Sequence, residues 1–150
     1  MKETALNEMA RNFFAVLSGL IVSIAAGALL YPLVILVVEK NFGFNFFALP
    51  GDETWKIDLV LGATFFGWFF MASLAGGFVC SLLSRGNDTM HVLMNSLVSI
   101  VIIYILSGDT LLSKKNLLSS LLILLGIPFG NLVGAWLGGR LKKKKARTSS

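Results

Sequence analysis

Apolar residues run almost unbroken through four stretches of this chain, 13–38, 57–83, 91–107 and 117–139, while charged residues gather between and beyond them. Each stretch approaches the length a helix needs to cross a bilayer core, about 20 residues at 1.5 Å rise. Lipid offers backbone groups no hydrogen-bond partner, so such segments are expected to be helical throughout. The pattern predicts an all-α membrane protein with four transmembrane helices. Together with a basic tail over 140–150 they use residues 1–150 as one membrane domain.

Small residues are spaced within these runs as closely packed helices require. Gly126, Gly130, Gly134 and Gly138 fall every fourth residue in the last run. In water, glycine inside a helix costs up to about 1 kcal/mol relative to alanine. In a bilayer, small residues at this spacing let two backbones approach, which favours helix pairing. The first run carries Gly19, Ser23 and Gly27, followed by Tyr31 and Pro32; the second carries Ala72/Gly76/Cys80 and Ser73/Gly77/Ser81. A compact bundle with glycine zippers is therefore expected. Four-residue steps drift by about 40° each on an ideal helix. One straight partner could not cover all four glycines equally, so a right-handed crossing or two partners is expected.

The third run is the polar one. His91, Asn95 and Ser99 lie at i, i+4 and i+8 on one face, with Ser96 beside them. Intramembrane polar groups turn toward the bundle interior. Asn131, next to Gly130, is the candidate partner, and its depth differs from that of Asn95 by only about 6 Å. A polar cluster of His91, Asn95, Ser99 and Asn131 is expected in one half of the bundle. Helix-to-helix hydrogen bonds, typically about 0.6 kcal/mol each, are the favoured reading over a transport path.

Charge sets the expected orientation. The net charge is +5, from 13 Lys and Arg against 8 Asp and Glu. With four spans, Lys2, Arg11, Arg85, Arg140, Lys142, Lys143, Lys144, Lys145 and Arg147 share one side, and Lys40, Lys56, Lys114 and Lys115 the other. Basic residues accumulate in the cytoplasm, so both termini are expected inside. The cluster Arg140, Lys142, Lys143, Lys144, Lys145 and Arg147 reads as a contact for anionic lipid headgroups. No nucleic-acid-binding module accompanies it. Lys2 and Arg11 before an apolar run, with Ala26-Gly27-Ala28, have the form of a signal peptide. The run continues to Val38, so an uncleaved helix is expected.

Composition agrees: 55% of residues are hydrophobic and 14% charged, against about 25% charged in soluble domains. One cysteine, Cys80, and one histidine, His91, provide neither an internal disulfide nor a His/Cys metal site. No acid is placed to make His91 a catalytic base, and no glycine loop sits between strand and helix as phosphate binding requires. No enzyme, cofactor or metal is indicated. Asp58 is read as an interfacial residue near a helix N-terminus, where the dipole favours negative charge.

The aromatic run Phe65-Phe66-Gly67-Trp68-Phe69-Phe70 is expected to face lipid or fill gaps between helices. In the loop Glu39–Lys56, Phe42, Phe44, Phe46 and Phe47 precede the turn-like Leu49-Pro50-Gly51-Asp52, and these rings, with Trp55, suit the headgroup zone. The second and fourth runs share a faint similarity, Gly67–Ala75 over Gly126–Gly134, as parallel hairpin repeats would.

Gly67-Trp68, Gly76-Gly77, His91, Asn95 and the closing Pro128-x-Gly130-x-x-x-Gly134-x-x-x-Gly138-Gly139 together give a resemblance. The chain resembles small uncharacterised four-helix membrane proteins of bacteria, with glycine-rich second and fourth helices. The resemblance implies the bacterial inner membrane and carries no functional residues. The expected role is a non-enzymatic structural or accessory subunit that packs with itself or with another membrane protein. The alternative is a small oligomeric transporter or channel, its path lined by the third-helix stripe.

Overall fold

The computed structural model describes residues 2–42, 54–84, 88–107 and 117–148. Four helices account for nearly all of them: α1 (Lys2–Phe42), α2 (Thr54–Leu83), α3 (Asp88–Ser107) and α4 (Leu117–Thr148). The loop phenylalanines Phe44, Phe46 and Phe47, the Leu49–Asp52 turn and Arg85 lie outside the described residues. Three helices are long and apolar enough to cross a membrane, through Leu6–Leu36, Gly62–Leu83 and Ser120–Lys144. The apolar part of α3, Thr89–Ile105, is shorter.

Two helices run further than the apolar pattern implies. α1 starts well before Phe13, and α4 continues through the basic segment to Thr148 instead of ending at Gly139. Lysine and arginine are good helix formers, and positive charge near a helix C-terminus opposes the negative end of its dipole. The expected basic tail is thus the last turns of a helix. α1 and α4 also continue past Pro32 and Pro128. Each proline removes one intrahelical donor.

Burial is inverted relative to a water-soluble domain. The fully buried positions are mostly small or polar, including Ser81, Asn95, Asn131 and Cys80, with Val92 and Ile127 the largest apolar ones. Large apolar side chains point outward instead, among them Leu29, Met9, Ile105 and Phe129. A soluble monomer does not expose apolar surface on this scale. Hydrocarbon is the solvent that suits such an exterior, and a membrane protein is the class that follows.

The helices alternate in direction. α1 and α2 are antiparallel: Arg11 meets Leu83, Gly19 meets Gly76 and Cys80, and Gly27 meets Trp68 and Ala72. α2 and α4 are parallel and make the most extensive contact in the bundle. α1 and α4 flank α2, and α3 touches all three other helices more lightly.

Candidate functional site

The α2–α4 seam is built from backbone. A Cβ placed on Gly126 would lie 2.9 Å from the Phe66 carbonyl oxygen, and one on Gly138 would lie 2.9 Å from that of Phe78. On Gly130 and Gly134 it would overlap the carbonyls of Phe70 and Leu74 more closely still. Every glycine therefore sits over the carbonyl of the residue sixty positions earlier. Approach is closest at the two middle glycines and relaxes toward both ends, as it does when two helices cross. Contacts repeating every four residues on both partners exceed the 3.6-residue turn, so the crossing is of the right-handed type. One helix covers all four glycines, so of the two arrangements the spacing allowed, two partners are not needed.

The other small residues serve α1 and α2. Gly19 faces Gly76 and Cys80, and the Ser23 hydroxyl lies directly against Gly76. Gly27 faces Ala72 and the Trp68 ring, while Gly77 is overlaid by the Asn131 backbone of α4. α2 thus presents Gly76 to α1 and the adjacent Gly77 to α4, two contacts about 100° apart around the helix from one Gly-Gly pair.

Beside this seam lies a polar clasp. Asn95 Nδ2 donates to Asn131 Oδ1 at 3.0 Å, and Asn131 Nδ2 donates to Ser96 Oγ at 3.0 Å. Ser96 Oγ in turn donates to the Val92 carbonyl at 2.9 Å, and Ser99 Oγ to the Asn95 carbonyl at 2.8 Å. Asn95 and Asn131 are wholly buried, and Ser96 and Ser99 nearly so. Asn95 Oδ1 is buried without a partner. The stripe on α3 and Asn131 on α4 therefore meet, with Ser96 as a full member. Ser99 bonds back to its own helix, and His91 lies half-buried one turn from Asn95 toward the α3 start.

Trp68 is the contact that spacing alone does not reveal. Its indole Nε1 donates to the Gly27 carbonyl at 2.8 Å. The neighbouring Ala28 carbonyl loses its helical donor because residue 32 is proline. Tyr31, Phe65 and Phe69 pack around the Trp68 ring, with centroids 5.3, 5.9 and 4.7 Å away. The signal available in the sequence was chemical: an indole N–H within an apolar run needs an acceptor.

Basic residues gather at one end of the bundle. Arg11 Nε donates to the Leu83 carbonyl at 3.2 Å and Lys142 Nζ to the Ser84 carbonyl at 2.9 Å. Cations from α1 and α4 thus cap the C-terminus of α2, where carbonyls are unpaired and the dipole is negative. Arg140 stacks on Trp136, 3.7 Å from the ring centroid. Lys143 and Lys144 are exposed, and the side chains of Lys145 and Arg147 lie outside the described ones. These contacts place the start of α1 and the end of α4 at the same end of the molecule. Among the described residues, no three His, Cys, Asp or Glu side chains come together as metal ligands would. Compared with protein-family models, curated proteins and solved structures, the chain matches none.

Proposed function

We propose that this chain is a non-enzymatic, four-span inner-membrane protein of bacteria, with both termini cytoplasmic, acting as a structural or accessory subunit. The observation that carries the reading is the clasp. The amides of Asn95 and Asn131 and the hydroxyl of Ser96 bond to one another in a fully covered position. Polar groups used in this way hold helices together, and the one clasp atom without a partner, Asn95 Oδ1, is buried away from water. α3 packs at the depth of the three long helices, which supports counting it as the fourth span. With the start of α1 and the end of α4 at the basic end of the bundle, the positive-inside tendency favours the cytoplasm for both. There Arg140, Lys143 and Lys144 meet anionic headgroups, joined in this reading by Lys142, Lys145 and Arg147.

The test is purification from the native membrane in gentle detergent. A stoichiometric, unrelated membrane chain is the expected companion. Recovery solely as a monodisperse homo-oligomer, with a Cys at position 99 in a Cys80→Ser background reacting readily with water-soluble thiol reagents, would replace this reading with an oligomeric pore.

A further inference from the structure

A cavity of about 300 Å³ lies between α1 and α3, with α2 behind it. That volume is at the lower end of small-molecule sites. The lining is apolar except for three serines, Ser23, Ser73 and Ser99, one from each of these helices, and none of the lining residues is charged. Each serine lies within a few residues of the middle of its apolar segment. The cavity is therefore at the depth of the bilayer midplane, away from both headgroup layers. Its rim includes the exposed Ala28 on the outer face of α1, so it is reached sideways from hydrocarbon.

The hydrogen-bond accounting at this cavity is incomplete. Ser99 has spent its proton on the Asn95 carbonyl but keeps lone pairs. Ser23 is 9% exposed, and its hydroxyl is buried with no partner. That hydroxyl rests against Gly76, on a side chain with a single χ angle that can present it to a guest by changing rotamer. Gly19 faces the Asn95 amide across α1 and α3, and Ser23 and Ser99 each stand one turn further along, so the two hydroxyls share one level of the cavity. One donor without an acceptor and one hydroxyl with lone pairs to spare, in an apolar, uncharged site, match a neutral hydroxyl group, which accepts and donates at once.

We propose that this cavity binds a neutral, lipid-soluble alcohol. Its hydroxyl would be held between Ser23 and Ser99, and its apolar body would lie between Trp68 and Ile103. The site goes beyond the accessory role and does not depend on it.

Trp68 provides the readout. In a Trp55→Phe/Trp136→Phe variant it is the sole tryptophan. The variant, in vesicles of neutral phospholipid, is titrated with a bromo-octanol and, separately, with bromo-octane at matched membrane concentrations. Bromine quenches indole fluorescence at contact. Quenching by the alcohol should saturate, and at about fivefold lower concentration than any saturation by the alkane, the advantage one neutral hydrogen bond confers. Ser23→Ala should abolish that advantage. Ala28→Phe, a change on an exposed wall, should abolish saturation, with protection of Cys80 from thiol reagents verifying that each variant is folded. Quenching that rises linearly for both compounds, as simple partitioning produces, would overturn the site. Equal saturation by both, or indifference to Ser23→Ala, would overturn the assignment of an alcohol.

Discussion

Gly134→Ala should loosen the bundle more than its single added carbon suggests. On a helix facing open space, replacing glycine with alanine gains up to about 1 kcal/mol of backbone entropy. Gly67 supplies that reference, since a Cβ there would meet nothing within 4 Å. At Gly134 the Cβ would overlap the Leu74 carbonyl and lie 2.7 Å from the Phe78 nitrogen. Both obstacles are backbone atoms of a helix fixed on its other side by α1, so no rotamer change relieves them. α2 and α4 must move apart, at the cost of the close Cα–H···O approaches along the seam. Overpacking of this kind costs about 1–3 kcal/mol. A net loss of about 2 kcal/mol would raise the unfolded fraction roughly 30-fold.

Cys80 offers the assay. It is wholly buried where α1 meets α2 and is the chain's sole cysteine. The rate of maleimide labelling in mild detergent therefore follows opening of the bundle. Gly134→Ala should label much faster than wild type, Gly67→Ala no faster, and Gly139→Ala should fall near Gly67→Ala because position 139 lies off the seam. Equal rates for Gly134→Ala and Gly67→Ala would mean that the α2–α4 contact does not hold the molecule together.

The clasp and the orientation can be tested in the same spirit. Asn131→Leu strands the Asn95 amide, while Ser96 keeps its bond to the Val92 carbonyl, so it should cost about 1–3 kcal/mol in a detergent unfolding titration. The double change Asn95→Leu/Asn131→Leu should recover part of that loss, with a coupling of about 0.6–1.7 kcal/mol, and strict additivity would argue against the bond. Converting Lys142, Lys143, Lys144 and Lys145 to Gln reduces the basic side from nine Lys and Arg to five, against four opposite. Topology reporters fused to the C-terminus should then show a mixed population, whereas an unchanged orientation would show that something other than loop charge sets it.

The glycine spacing was readable because it is a property of side chains, or of their absence. Its partner was harder to read, because what meets those glycines is the carbonyls of Phe66, Phe70, Leu74 and Phe78. Every residue has a carbonyl, so nothing in those four names marks them as one face of a seam. The Asn95–Asn131 contact was legible from depth, since two amides at similar levels in hydrocarbon have few other partners. Ser96 was less so, for serine also satisfies itself on its own helix, as Ser99 does. Hydropathy marks the apolar span of α4 but not the helix end: apolar character stops at Gly139, while helix propensity does not, and the lysines carry the helix on to Thr148. The caps on α2 could not be foreseen, because a basic residue near a membrane surface has headgroups, water and carbonyls to choose from.

The seam also sets an order of assembly. Its two halves are sixty residues apart in the chain, so at about 5–20 residues per second the ribosome needs roughly 3–12 s to supply the second half. Until then α1 can close on Gly76, but the neighbouring face of α2, with Gly77 and the carbonyls that α4 will cover, has no mate. The most extensive contact in the bundle is among the last that synthesis permits. A chain arrested before Gly126 would leave that face open to any passing helix with small residues, and to the proteases that survey the membrane for unfinished work.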